Sequence, residues 1–111
     1  MRCRVTATTI VAAPRITTAR SRYDLRAGDV FRFSGTVAPV LRGERMELLT
    51  DRGGGWRPVS GSAKVKLRRG HAWSSRAFGT PKAETYRLRA HIAATAKHGE
   101  AWSRTVTVRI R

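Results

Sequence analysis

The sequence predicts a small all-β domain, and three observations carry that prediction. Apolar residues recur at every second position, as in Tyr86-Arg87-Leu88-Arg89-Ala90-His91-Ile92, which is the period of a strand buried on one face. Turn-forming Gly, Pro and Asp punctuate the chain at intervals of roughly 8 to 12 residues, the spacing of a sandwich or small barrel. Helical templates fail almost everywhere, and no connection is long enough for a βαβ unit.

In chain order, Pro14 precedes Ile16-Thr17-Thr18, a short edge-type strand that leads through Tyr23-Asp24-Leu25 to a turn at Ala27-Gly28-Asp29. Val30 to Val37 reads as one strand, with Phe31, Phe33, Gly35 and Val37 on one side and Arg32, Ser34 and Thr36 on the other, stopped by Pro39. Glu44 to Thr50 turns Met46 and Leu48 inward and forms a hairpin with Trp56-Arg57-Pro58-Val59 across the Asp51-Arg52-Gly53-Gly54-Gly55 tip. Lys64 to Arg68 opposes Val65 and Leu67 to three cations, and His71 to Phe78 follows. Thr85 to Ile92 places Tyr86, Leu88, Ala90 and Ile92 on one face, and Ser103 to Arg111 does the same with Val106, Val108 and Ile110. The Ala93-to-Gly99 connection between them is too short for a stable helix and is expected to be a loop.

At 111 residues the chain suits one domain with a modest core. Its 23 Lys and Arg face 7 Asp and Glu, a formal net charge of +16. Those bases alternate with core residues instead of forming a basic tail, so the charge belongs to a folded surface. Such a surface attracts nucleic acid, anionic wall polymer, lipid headgroups or acidic protein, and charge alone does not choose among them. Four bases are Lys and the other 19 Arg, which fits a GC-rich genome as well as selection for bidentate contacts. Cys3, the single cysteine, cannot make an internal disulfide. No run of about 18 apolar residues occurs, so no membrane span is expected. The first ten residues lack the apolar centre of a secretory leader, which fits an intracellular protein or a trimmed secreted one.

Ser34-Gly35-Thr36-Val37-Ala38-Pro39, Gly43 before a strand, Gly54-Gly55-Trp56-Arg57-Pro58-Val59, Thr85-Tyr86-Arg87-Leu88-Arg89 and Ser103-Arg104-Thr105-Val106-Thr107-Val108 together resemble the Ig-like modules common in secreted actinobacterial proteins. The resemblance covers about Ile16 to Arg111. It implies a single immunoglobulin- or fibronectin type III-like β-sandwich of about seven antiparallel strands over residues 15–111, behind an N-terminal arm or first strand at 1–14. It implies Tyr86 at the tyrosine-corner position, and Phe33 and Leu88 where antibody domains carry cysteines. Met46 or Leu48 then stands on the strand of the buried Trp, so the core holds by packing without a disulfide. It also implies a secreted or cell-surface location. Such modules are usually nearer neutrality and lie inside longer chains, so a strongly basic copy favours a partner-binding role over that of a spacer.

Catalysis finds no support in the residues. His71, His91 and His98 lack metal-ligand spacing, the glycine-rich tip lacks the Gly-Lys-Ser/Thr and helix of a phosphate loop, and no nucleophile elbow is present. The expectation is a non-enzymatic protein with no cofactor, metal or small-molecule substrate. Its candidate binding residues are Arg87, Arg89, Arg109 and Arg111, outward on the last two long strands, where like charges repel unless a partner supplies negative charge. Lys64, Lys66 and Arg68 form a second row, and Trp56 beside the hairpin tip reads as a rim anchor or a ligand contact. Trp102 carries the same two readings, whereas Phe31, Phe33, Trp73 and Tyr86 have core parity, which leaves few platforms for stacked bases. Val5, Ala7, Thr9 and Val11 in the arm share one parity, fitting strand A or an arm docked on another subunit. The expected function is an adaptor or structural subunit of a secreted bacterial protein or multi-protein assembly, docking an acidic protein partner. A sequence-indifferent nucleic-acid binder and a virion or cell-wall surface module are the alternatives.

Overall fold

The computed structural model describes residues 13–39, 41, 43–59, 65–67 and 70–111. Among them run twelve strands and no helix: β1 (Arg15–Thr18), β2 (Arg22–Leu25), β3 (Val30–Phe31), β4 (Ser34–Ala38), β5 (Arg45–Asp51), β6 (Trp56–Pro58), β7 (Val65–Lys66), β8 (Ala72–Ser74), β9 (Phe78–Gly79), β10 (Glu84–Ile92), β11 (Ala101–Trp102) and β12 (Val106–Ile110). The fold is all-β, as the alternation requires. Most of the expected arm at 1–14, with Cys3, lies outside the described residues, as do Lys64 and Arg68.

The larger sheet has the order β2-β12-β10-β5-β6, with β11 paired to β10 and β7 to β5, and the smaller sheet has the order β1-β4-β8. β3 and β9 form a two-stranded ribbon. The inward rows of these sheets meet in one apolar core that includes Ile16, Phe33, Val37, Met46, Leu48, Trp73, Tyr86, Leu88, Val106 and Val108. Within it Phe33 and Trp73 meet edge to face with ring centroids 5.0 Å apart, a favoured arrangement of two quadrupoles. Every residue that the period-two reading turns inward on Glu44–Thr50, Thr85–Ile92 and Ser103–Arg111 is buried.

Strands outnumber the seven expected in part because long runs are interrupted: Val30 to Val37 gives β3 and β4, His71 to Phe78 gives β8 and β9, and β11 stands apart from β12. Val30 to Val37 divides at Arg32 and Phe33, so β3 pairs with β9 while β4 pairs with β1 and β8. The last strand is regular only from Val106. Each interruption is patched by a buried serine in the same way. Ser75 N donates to the Phe33 carbonyl at 2.7 Å and the Phe33 amide donates to Ser75 Oγ at 2.9 Å. Ser103 N donates to the Ala90 carbonyl and the Ala90 amide to Ser103 Oγ, both at 2.8 Å. Each hydroxyl then donates to the carbonyl of the following arginine, Arg76 or Arg104. A buried amide left unpaired costs about 1–3 kcal/mol, so a serine oxygen in place of a strand carbonyl keeps the break tolerable.

One pairing also departs from the antiparallel expectation. The chain leaves β1 and crosses to the opposite sheet over Ala19–Ser21, so β2 runs parallel to β12, with Tyr23 opposite Val108 and Asp24 opposite Arg109. Close approach of β1 to β4 depends on Gly35, where a Cβ would stand 1.8 Å from the Thr17 carbonyl oxygen. Gly35→Ala is expected to lower stability by about 1–3 kcal/mol through this overpacking, read as a fall in the urea midpoint. Gly54→Ala, at a tip where the nearest atom is an Arg57 nitrogen 3.9 Å away, should leave that midpoint unchanged.

Candidate functional site

Alternation on β10 turns Thr85, Arg87, Arg89 and His91 away from the core that Tyr86, Leu88, Ala90 and Ile92 fill. Across from Arg87, Arg89 and His91 the β5 register places Asp51, Leu49 and Glu47. Trp56 of β6 stands opposite Asp51, and Pro58 opposite Leu49. Leu49 points outward with this row yet is only 7% exposed, because the outer face carries a cover of its own.

That cover needs Trp102, whose orientation simple alternation gets wrong. Counting back by twos from Val106, Trp102 shares the inward parity of Val108 and Ile110. The pairing, however, moves from Leu88 opposite Val106 to His91 opposite Trp102. Between those two pairs, two residues on β10, Arg89 and Ala90, are matched by three, Ser103 to Thr105, which makes this a β-bulge. Arg104 and Thr105 are both exposed and absorb the extra residue, while Ala101 and Ser103 turn inward. Trp102 is thereby re-aimed outward, where core-edge packing is the plainer expectation, and is 37% exposed.

Trp56 and Trp102 then bracket Arg89. Its guanidinium lies 4.5 Å from the Trp102 ring centroid and 5.5 Å from that of Trp56, and its Nε donates to the Ser103 carbonyl at 3.1 Å. Arg87 lies 5.4 Å from the Trp56 centroid, and the His91 ring packs 4.1 Å from Trp102. Five planar groups from three strands thus share contacts along one line. Each cation–π contact at such an exposed site contributes about 0.5–1 kcal/mol.

The charge pattern is more mixed than the composition implies. Arg87 is ion-paired with Asp51. The Gly53 amide first, then the Arg87 guanidinium, hold the Asp51 carboxyl below its usual pKa. Arg109 faces Thr85 and Asp24, and Thr107 faces Arg87, so threonines stagger the row and no arginine of β10 stands directly opposite one of β12. Arg111 lies past the end of β12, its backbone bonded to Leu25 and Ala27. Lys66 stands opposite Arg45, at the far end of β5 from Asp51.

His91 takes the outward parity expected of it, but it is covered, with Trp102 on its ring and Glu100 Oε2 3.0 Å from Nε2. That contact, with the indole N–H of Trp102, depresses the Glu100 pKa. All seven carboxylates of the sequence are engaged in this manner: Asp24 by Arg22, Asp29 by the Arg26 amide, Glu44 by His98, Glu47 by His91, Asp51 by Arg87, Glu84 by Arg52 and Glu100 by His91. Asp29 is held by a backbone amide alone and Glu47 and Glu100 share the one His91, so the seven acids offset only a small part of the cationic excess.

Among the described residues no group of three or more His, Cys, Asp or Glu could hold a metal ion, and no helix is long and apolar enough to cross a membrane. No family model matches the chain, and no curated protein is similar to it.

The loop after β10 is fastened by His98, which has little exposure. Its Nδ1 lies 2.9 Å from the Gly99 carbonyl and its Nε2 2.5 Å from Glu44 Oε1. Both partners are acceptors, so the ring fits them as a doubly protonated imidazolium. The Gly99 carbonyl first, then Glu44, raise its pKa above the ordinary 6.5. A raised folded-state pKa gives stability that is fully present below the unfolded value and is lost as pH rises through the folded one. Wild-type protein is therefore expected to lose stability from pH ~6.5 upward by more than His98→Gln does, as read by urea unfolding at a series of pH values.

Proposed function

We propose that this protein is a non-enzymatic binding module, an adaptor or structural subunit of a secreted or cell-surface bacterial assembly, that docks an acidic protein partner on the Trp56–Trp102 face of its larger sheet. One observation carries the reading. Every carboxylate is already engaged within the chain, yet an excess of arginine remains, part of it on a face ordered by stacked indoles. Tryptophan and arginine are the residues that most often dominate protein–protein binding energy. The order β2-β12-β10-β5-β6 opposite β1-β4-β8 fits the Ig-like sandwich that the sequence resembles. That likeness supports an architecture and leaves function to the surface.

Nucleic-acid binding is the weaker reading on two grounds. Base stacking needs free aromatic faces, and the Trp102 ring already packs against Arg89 and His91. A uniformly negative polymer would also meet Glu47, Asp51 and Glu100 on or beside the same face.

An immobilised random copolymer of Glu and Ala, whose carboxylates are interspersed with apolar residues, tests the proposal at ~0.15 M salt by biolayer interferometry. Wild-type protein is expected to bind, and Arg87→Glu/Arg89→Glu, checked for its fold by circular dichroism, to lose at least tenfold in affinity. Equal binding by the two proteins sinks the proposal. Retention on oligo-dT alone, weakening steeply with salt, replaces it with the nucleic-acid reading.

A further inference from the structure

The two stacked arginines of β10 are not equivalent. Arg87 has its anion in Asp51. Arg89 stands opposite Leu49, and its one hydrogen bond among the described residues runs from Nε to the Ser103 carbonyl. The end of its guanidinium, with both terminal nitrogens, therefore has no anion among those residues. Lying between two indoles with Nε bonded, that fork has already lost much of the rotamer freedom, on the order of 2 kcal/mol, that a free arginine gives up on binding. A planar fork of this kind matches a carboxylate through two parallel hydrogen bonds.

Its surroundings narrow the ligand. Along β5, Asp51 and Glu47 lie two residues to either side of Leu49, about 7 Å away along the strand, and Glu100 sits by Trp102. These acids disfavour a continuous polyanion and leave room for one isolated negative group at the Arg89 fork, on the side of the exposed Pro58 that the register places beside buried Leu49. An acidic side chain flanked by small or apolar neighbours has that character.

We infer that Arg89 is the specificity-determining contact of this face, binding a single Asp or Glu carboxylate of a peptide segment end-on while Trp56 and Trp102 hold its plane. The inference rests on the docking role proposed above and sharpens it. Affinity is concentrated at one preorganised arginine, and the other cations of the row act through longer-range attraction.

The probe is a fluorescein-labelled peptide with isolated Glu residues separated by Gly and Ser, and its Gln counterpart, followed by anisotropy at ~0.15 M salt. Arg89→Lys keeps the net charge and removes the fork. It is expected to weaken binding of the Glu peptide roughly tenfold or more, whereas Lys82→Ala, which removes a charge from an exposed position outside the face, changes it less than about twofold. Trp102→Leu, which retains Arg89, should also weaken binding, and the Gln peptide should not bind. Near-ultraviolet circular dichroism and the thermal midpoint check that each variant is folded.

If Arg89→Lys binds as wild type does while Arg87→Glu/Arg89→Glu fails to bind the Glu/Ala copolymer, the face still docks acids but Arg89 is not its selective contact. Arg109→Ala costing as much as Arg89→Ala overturns the inference equally, because binding is then spread along the row. If the double reversal also leaves binding of the Glu/Ala copolymer intact, the docking role itself falls. Binding of oligo-dT in preference to the Glu peptide assigns the arginine to phosphate and overturns the inference.

Discussion

The buried hydroxyls of Ser75 and Ser103 are the constraint on which both faces of this fold depend. A β-sheet holds its backbone polar groups in a ladder, and a strand that changes partners must leave amides without strand carbonyls. Here a change of partner between β3 and β4 and a slip of register along β10 between β11 and β12 have that effect, and at each place a serine bonds one residue through both its backbone and its side chain. The first patch lets Phe33 reach Trp73 in the core although the strand has broken beside it. The second lets the final strand slip by one residue without exposing the amide of Ala90. Packing selects the inward rows, but these two hydroxyls allow the rows to be discontinuous.

The same economy governs the charge. A surface with this excess of cations opposes folding by self-repulsion, and seven acids cannot neutralise it. The acids are instead placed where they organise structure: Asp51 closes the hairpin tip through Gly53 and Gly55, Glu84 holds Arg52 over the Tyr86 ring, and Glu44 anchors the loop after β10. Several arginines, in turn, lie on aromatic rings, where a weakly hydrated planar cation gains dispersion and quadrupole attraction that lysine would gain less well. The arginine-rich composition is therefore also a packing feature of the outer surface, whatever genomic bias contributes to it.

The inward residues were legible because side-chain direction follows from a period of two, and Leu48, Leu88 and Val108 obey it without exception across their strands. The arginine row was legible for the same reason. What alternation could not reveal was every event that depends on partner choice. The split at Arg32 and Phe33 leaves the pattern of Phe31, Phe33 and Val37 intact, so nothing in the spacing signals it. The parallel course of β2 follows from which sheet the chain joins after Ala19. For Trp102, which the sequence leaves between a packed rim position and a ligand contact, the deciding event is a bulge, which inverts parity on its far side. One clue stood in the chain: Arg104 and Thr105 are adjacent polar residues in a stretch that otherwise alternates. The pairing of Asp51 with Arg87 and the stagger by threonines needed the register and lay beyond any reading of single strands.

The bulge at Arg104 and Thr105 also bears on which changes of chain length the stacked face can survive. Val106, Val108 and Ile110 keep their places in the core whichever way Trp102 points, because the extra residue lies upstream of them and is absorbed in two exposed positions. Loss of either codon would leave a single outward residue between Ser103 and Val106, and plain alternation would then keep Ala101 and Ser103 inward and Trp102 outward. The extra residue is thus an insertion that the strand pair accommodates by bulging, and its gain or loss turns over neither the core row nor the indole. A strand without such a release would flip every side chain beyond the inserted residue.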